Sequence, residues 1–362
     1  MNYLRNTWYM AAFSDEVPTD KPLGRRLLGT MTALFRDAQG AVQALDDRCA
    51  HRFAPLHKGI VVDGTLQCPY HGLRYAPGGQ CVHNPHGNGR IPSGARVRAF
   101  ATAERYGIVW KWAGELDSAD PSLIPDFSSM DPEKRFVGKG YLPVRANYQL
   151  ETDNIMDLSH IEYLHPGSLG SDAVKAAVAQ VEQVGNTVYS KRLTRSERLP
   201  DVLEERFGLS TGQLVDRWLD VRWDAPACME LWVGIASTGT EDPRAVGKRI
   251  PYLHIFTPET EQSAHYWYAT SYPRRMGEEG ARRAASDAEF LRAPFESEDL
   301  PMLEDQQRNM GDAEFWSLKP VLLAGDAAAV RARRVLEGLI KAEYMPEASS
   351  KEAFTTQDGD KQ

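Results

Sequence analysis

Long apolar runs are missing from this 362-residue sequence. No window approaches the ~20 uninterrupted apolar residues of a membrane helix, and the opening MNYLRNTWYMAAFSDEVP is too polar for a secretory signal. A cytoplasmic protein is the expectation. Positive charge is not in excess: 42 Lys and Arg stand against 50 Asp and Glu, a net of -8, and no basic block interrupts the chain. Nucleic acid and membranes are therefore poor partners for it. Cysteine is scarce. Four residues in this length do not make the dense framework of a small secreted disulfide protein; Cys49 and Cys68 share one short stretch, while Cys81 and Cys228 stand apart. There is no internal repeat, and no G-x-G-x-x-G follows a strand to bind a nicotinamide nucleotide.

What is present divides the chain in two, as its length suggests. From Leu27 to Trp112 short strand-like runs alternate with Gly, Pro, Asn and Asp turn signals, which predicts a small all-β unit over residues 1–115. Residues 116–135 lie in a Pro-, Asp- and Ser-rich stretch without periodicity and read as a linker. A second domain over 136–346 contains strand candidates rich in β-branched and aromatic residues, such as ACMELWVGIAS and AHYWYATSYP, and closing helices with apolar residues at three- and four-residue spacing. The expected class is α+β, with the second domain an antiparallel sheet wrapped by helices. The polar tail, 347–362, is expected to be disordered.

The chemistry is concentrated first in CAHRFAPLHKGIVVDGTLQCPYHGLRY, where Cys49 and His51 form C-x-H and Cys68 and His71 form C-x-x-H. Each of two loops offers one thiolate and one imidazole. Zinc accepts such a set, but zinc fingers usually keep cysteines together and histidines together. A Rieske [2Fe-2S] centre wants mixed pairs, thiolates on one iron and imidazoles on the other. Gly59, Gly64 and Gly72 let backbone N–H groups approach the sulfurs. Neutral imidazoles raise the potential relative to an all-cysteine cluster, giving an electron acceptor of moderate potential.

An electron carrier needs little more than the first unit, so the second must have its own work. In DNIMDLSHIEYLH, Asn154, Asp157 and His160 recur every three residues and share one face if the segment is a helix, flanked by Ile155, Met156, Leu158 and Ile161. His160 and His165 diverge on a regular helix, but the end enforced before Pro166 can swing His165 back. With one carboxylate from elsewhere they would make the two-histidine, one-carboxylate set of mononuclear non-haem Fe(II). A helix cap or a satisfied core pair is the alternative for the two histidines.

These stretches, together with RNTWYMAA, GGQCVHNPHGNG, TPETE and FESEDLPMLEDQQRN, resemble the oxygenase component of Rieske non-haem iron monooxygenases, closest to the vanillate and dicamba O-demethylase group. The likeness runs from the N-terminus to about residue 340. It implies that Cys49 and Cys68 bind one cluster iron and His51 and His71 the other. It implies His160, His165 and Asp299 as ligands of a mononuclear iron, with Glu304 and Asp305 as lesser candidates for the carboxylate. Asp157 would be the aspartate that bridges a cluster histidine of one subunit to an iron-ligand histidine of the next, its carboxylate accepting from both. Asn154 would lie near the iron, bonding bound water or packing the helix. Leu231, Trp232, His265 and Phe290 are candidate pocket walls, with His265 placed to bond a substrate oxygen. The resemblance further implies a head-to-tail homotrimer, a separate flavin and iron-sulfur reductase (or a ferredoxin) fed by NAD(P)H, and O-demethylation of a methoxylated aromatic acid. Ring dihydroxylation, methyl hydroxylation and N-demethylation are alternatives, and a non-catalytic Rieske carrier is a remote one.

Overall fold

The computed structural model describes residues 3–344; the tail expected to be disordered lies outside the described residues. Three small sheets build the N-terminal part. Trp8–Phe13, Ile108–Trp112 and Thr102–Arg105 form one, and Leu23–Leu27, Thr30–Arg36, Val42–Asp46 and Ala99–Phe100 a second. The third, of Ile60–Val62, Thr65–Gln67, Arg74–Tyr75 and Cys81–His83, carries the Cys68–His71 loop between two of its strands, and the Cys49–His51 loop lies in the connection that leads into it from the second.

The C-terminal part is one seven-stranded antiparallel sheet. Arg135–Val144 enters at one edge; the chain then crosses to Gln180–Val184 at the far edge and returns strand by strand to Ser263–Pro273, which pairs with the first strand. One face of this sheet and the helices bury the largest core, which includes Leu219, Met229, Phe256, Tyr266 and Phe295. The other face meets the N-terminal sheet through Trp8, Trp110, Trp112, Leu253 and Trp267. Ile124, Phe127 and Met130 of the expected linker are buried in that same layer, so this stretch is a packed strap of 3-10 turns.

Helix Gly277–Pro294 lies on the edge strand Arg135–Val144 and its neighbour Ser263–Pro273. Gly138 permits the approach: a Cβ there would fall 1.8 Å from the Ala284 carbonyl oxygen. The helix continues through a π turn, Phe295–Asp299, into helix Leu300–Met310. Pro301 has no N–H to give to the turn before it, and the wider winding occurs just ahead of it.

Helix Tyr148–Met156 is held from outside by Arg333 of helix Ala327–Tyr344, whose guanidinium donates to Asp153 at 2.6–2.9 Å and to Gln149 at 2.9 Å. The expected continuous helix through His165 is broken at Asp157, which leaves helical geometry (φ -118, ψ 92) and caps the next turn by accepting from the Ser159 N–H at 3.0 Å. A short aspartate followed by Leu-Ser favours this cap over continuation. Leu158–His160 is a 3-10 turn and Ile161–Leu164 a single helical turn.

Candidate metal centres and cavity

The two loops of the N-terminal part fold alike. In each, the cysteine N–H donates to the carbonyl five residues on (Ala54, 2.9 Å; Leu73, 2.8 Å), and its own carbonyl accepts from the residue four on (Phe53, 2.9 Å; Gly72, 3.1 Å). That fourth residue is left-handed in both, Phe53 at φ 57 and Gly72 at φ 72. Cys49 and Cys68 end buried and adjacent, while the His51 and His71 rings meet at the surface with centroids 4.6 Å apart.

The four donors do not converge on a point. Among the described residues no three of them have ligand atoms within 4.8 Å of one another. A tetrahedral zinc, with bonds of about 2.0–2.3 Å, would draw all four inside that distance. Thiols paired on the buried side and imidazoles paired outside suit a two-iron cluster instead. Sequence reasoning passed over Tyr75: its oxygen accepts from the Ala50 N–H at 3.2 Å, so its proton is free for Cys49 Sγ at 3.1 Å. Cys81 is buried in the same core and Cys228 in the layer between the sheets.

The second set is His160, His165 and Asp299, the one group among the described residues whose donor atoms all lie within 4.8 Å. Asp299 Oδ1 stands 3.6 Å from His160 Nε2, and Oδ2 3.2 Å from His165 Nε2. Both rings are oriented through Nδ1, His160 on the Asp157 carbonyl at 2.8 Å and His165 on Glu298 Oε2 at 2.5 Å. Asn154 Nδ2 donates to Asp299 Oδ1 at 2.9 Å. The donor set fits a mononuclear non-haem iron, with both Nε2 atoms and a carboxylate turned to one point.

Burial lowers the His160 imidazole's pKa, with Asp299 partly opposing. Burial would lower His165 as well, but the carboxylates of Asp299 and Glu298 outweigh it and raise it. Glu298 had no sequence signal, since a solvent-facing acid beside the ligand candidate in SED reads the same way. Glu304 accepts from the Arg145 N–H and Asp305 pairs with Arg308, so neither lesser candidate joins the set.

Asp157 is placed differently from expectation. Its backbone carbonyl serves His160, while its carboxylate accepts from Ser159 and, at 3.4 Å, from Arg192, and lies against Gly325. The break in the helix turns this side chain out of the face that Asn154 and His160 share.

A small cavity of about 70 Å³ opens beside the triad, walled by Ile155, Leu219, Leu231, Val233, Leu291 and Phe295, with Asn154, Arg217, Tyr252 and His254 also on its lining. Of the expected walls only Leu231 is there. Trp232 is the next residue on its strand and faces the other side, under the Arg249 guanidinium at 4.4 Å. His265 also looks away, bonded to Tyr141 Oη at 2.9 Å and the Arg26 carbonyl at 2.8 Å, at the contact between the two parts of the chain. Phe290 sits a residue short of the cavity-facing Leu291, stacked under Arg206. The cavity histidine is His254. Its Nδ1 is bonded to Tyr266 Oη at 2.8 Å, its Nε2 is buried without a partner, and burial pulls its pKa down to about 4. The alternation of RIPYLHIFT, which puts Tyr252, His254 and Phe256 on one face, is the signal that could have found it.

Two donor sets on two such folds define an iron-dependent oxygenase with its own electron relay. Residues 7–100 match the Rieske [2Fe-2S] domain, and residues 144–342 match the vanillate O-demethylase oxygenase C-terminal domain. The chain is 40% identical over 340 residues to the dicamba O-demethylase oxygenase component of Stenotrophomonas maltophilia, covering 94% of this chain and 98% of that one. It is 38% identical over 354 residues to the chloroacetanilide N-alkylformylase oxygenase component of Rhizorhabdus wittichii, covering 95% and 97%. The crystal structure of dicamba monooxygenase with non-heme iron and dicamba aligns at TM-score 0.81 and 36% identity, over 96% of this chain and 100% of that one. The chain therefore belongs to the Rieske oxygenases of the vanillate and dicamba O-demethylase group. No helix among the described residues is long and apolar enough to cross a membrane.

Proposed function

We propose that the protein is the terminal oxygenase of a multicomponent monooxygenase that O-demethylates a methoxylated aromatic acid, with electrons drawn from NAD(P)H through a separate reductase. The observation that carries this reading is the juxtaposition of the His160, His165 and Asp299 set, in which His165 and Asp299 are buried and His160 partly so, with a mostly aliphatic cavity. Cys49 and Cys68 would hold one cluster iron, His51 and His71 the other, and the triad the mononuclear iron. When bound, the mononuclear iron would let O2 serve as the oxidant of a C–H bond, with the cluster passing on, one at a time, the two electrons that reduce the second oxygen atom to water.

The chain's own residues do the positioning. Glu298 and the Asp157 carbonyl fix the two imidazoles with Nε2 inward, and Asn154 fixes the Asp299 carboxylate. The aliphatic walls hold a ring and keep water from it. A methyl ether hydroxylated on its methyl carbon is a hemiacetal, which collapses to a phenol and formaldehyde without further help.

The two centres share no lining residue within one chain, and a head-to-tail ring of three subunits would bring a neighbour's cluster to each triad. Two exposed surfaces support such a ring. Phe53 and Tyr70 stand exposed around His51 and His71, and Leu318, Val321, Leu322 and Leu323 are exposed near Gly325, against which Asp157 lies. Asp157 would bridge from there to the neighbour's cluster histidine.

The test is formaldehyde release under air by iron-replete protein with NADH and a surrogate reductase, over a panel of methoxybenzoates, with oxygen uptake recorded. Equal amounts of formaldehyde and the matching phenol are expected. Substrate-dependent oxygen uptake without formaldehyde would sink demethylation and point to ring or methyl hydroxylation. Light scattering should give the mass of three chains, and a monomer would remove the bridging role of Asp157.

A further inference from the structure

Arg217 is the one arginine or lysine among the described residues that line the cavity. It alternates with Val215 and Leu219 on strand Leu214–Asp224, which puts its side chain on the helix-covered face among aliphatic neighbours. Only 3% of it is exposed. A guanidinium at that depth is rare without full pairing. Its Nη1 is paired: Glu197 Oε1 lies at 3.2 Å and the Leu169 carbonyl at 3.1 Å. Glu197 is itself held by the hydroxyls of Ser171 and Thr194. The other side is not paired, since Nε is buried with no partner. Glu197 and the Leu169 carbonyl therefore leave one guanidinium donor unsatisfied on a side chain that lines the cavity. His254 Nε2 is the second unpartnered buried nitrogen on the same lining. Elsewhere the walls are Leu, Ile, Val and Phe. Cavities of this make-up fix a ligand by the few polar atoms they contain.

We infer that Arg217 is the specificity-determining anchor of the cavity, binding the oxyanion of a single-ring aromatic substrate, carboxylate or sulfonate, through its Nε side. This rests on the reading that the cavity beside the triad receives the substrate. The anchor fixes one end of the ring and so selects which substituent faces His160, His165 and Asp299. Glu197 is a positioning residue that holds the guanidinium by its far corner. Neutral ethers of the same shape lack the partner for Nε and are discriminated against, because they leave a buried donor unpaired.

The experiment is calorimetric binding to the anaerobic holoenzyme of 4-methoxybenzoate, 4-methoxybenzenesulfonate and the neutral 4-methoxybenzamide. Arg217→Gln alone would strand Glu197 as an unpaired buried charge and destabilise the fold, so the informative variant is Glu197→Gln with Arg217→Gln, which keeps the local charge balanced. Wild type should prefer at least one anion over the amide by about 100-fold. The double variant should lose about 100-fold for that anion and stay within about threefold for the amide. Glu197→Gln alone, which keeps the guanidinium but loosens its hold, should weaken anion binding by less than the double variant does and leave the amide unchanged. Which anion binds tighter separates carboxylate from sulfonate. A folded double variant that binds the anion like wild type, or a wild type that prefers the amide, overturns the inference. If oxygen uptake proceeds without formaldehyde while anion binding still depends on Arg217, demethylation fails and the anchor stands. If neutral ethers release formaldehyde and binding ignores Arg217, the anchor fails and demethylation stands.

Discussion

Replacing Tyr75 by phenylalanine isolates one hydrogen bond to the cluster. Tyr75 is fully buried in the core that also contains Cys49 and Cys68, so the ring's packing survives the change and only the hydroxyl is lost. Burial, and then the neighbouring Cys49 thiol, push the phenol well above its ordinary pKa, so it stays a donor across the working pH range. Its oxygen is 3.1 Å from Cys49 Sγ and accepts from the Ala50 N–H at 3.2 Å, and a cluster-bound thiolate has no proton to give, which makes the phenol the donor. A donor to sulfur stabilises the reduced cluster, whose sulfurs are more negative, over the oxidised one. Taking the bond as about 1–1.5 kcal/mol of difference between the two states, and 59 mV per tenfold for one electron, Tyr75→Phe should lower the potential by about 40–60 mV. The assay is a spectroelectrochemical titration of wild type and variant at one pH, with cluster content checked by visible absorbance. An unchanged or higher potential in a variant with a full cluster would refute the account. So would a fall that disappears when the titration is repeated at another pH, because a neutral donor gives a nearly pH-independent offset.

Glu298→Ala removes the acceptor that orients His165 and should weaken iron binding about 10- to 100-fold, with Glu298→Gln falling between it and wild type. Iron loss to a chelator, with the cluster spectrum as internal control, measures it; equal retention in all three proteins would show that Glu298 does not orient the ring. Lys111 is buried in strand Ile108–Trp112, and burial, aided by Arg98, lowers its ammonium to about 8. Between that value and the ordinary 10.5 the unfolded chain holds more protons, so stability should rise with pH through this window. Below it the buried charge costs at most about 3 kcal/mol, and Lys111→Met should raise the melting temperature at pH 7 with a gain that fades toward pH 10.5. A variant that melts lower at pH 7 would mean the charge is compensated. Gly138→Ala drives a methyl into the Ala284 carbonyl and should cost about 1–3 kcal/mol or more. Because the displaced helix runs on into the Asp299 turn, iron content should fall with the melting temperature, and a fall in melting temperature alone would uncouple helix seating from the metal site.

How far the residues spoke for themselves varied with the kind of signal. Ligand spacing is local and discrete, so Cys49, His51, Cys68 and His71 could be placed on two loops from their intervals alone. Strands that alternate buried and partly exposed residues were legible for the same reason, as with Thr187–Arg198. Trp8–Phe13 was not read as a strand, because it is buried on both faces and shows no alternation. Leu214–Asp224 was also missed; Asp216 and Arg217 interrupt its apolar run, although both are buried and paired across the fold. Phe127 and Met130 read as linker because their partners lie on strands more than a hundred residues away as well as nearby.

Two of the expected walls, Trp232 and His265, lie on strands and fall outside the cavity lining for one reason. A strand has period two, so an error of one residue turns a wall into an outer-face residue, and Leu231 and Trp232 show both results side by side. Which face of a strand meets the triad depends on how the sheet is seated against the helix 148–156 and the π turn, and that is a tertiary fact. His254 and His265 make the consequence concrete. Both are buried histidines on neighbouring strands, each bonded through Nδ1 to a tyrosine hydroxyl. His265 gives its second nitrogen to a backbone carbonyl and is spent on structure, whereas the Nε2 of His254 is left unpaired on the cavity lining. Arg217 is told from Arg192 in the same way: Arg192 Nη1 is taken up by the Val174 and Ala177 carbonyls and its Nη2 by Asp157, while Arg217 keeps a buried nitrogen unpaired beside the triad. Residue type and pattern therefore pick out the two candidate donor sets, and leftover hydrogen-bonding capacity picks out the side chains proposed to meet the ligand.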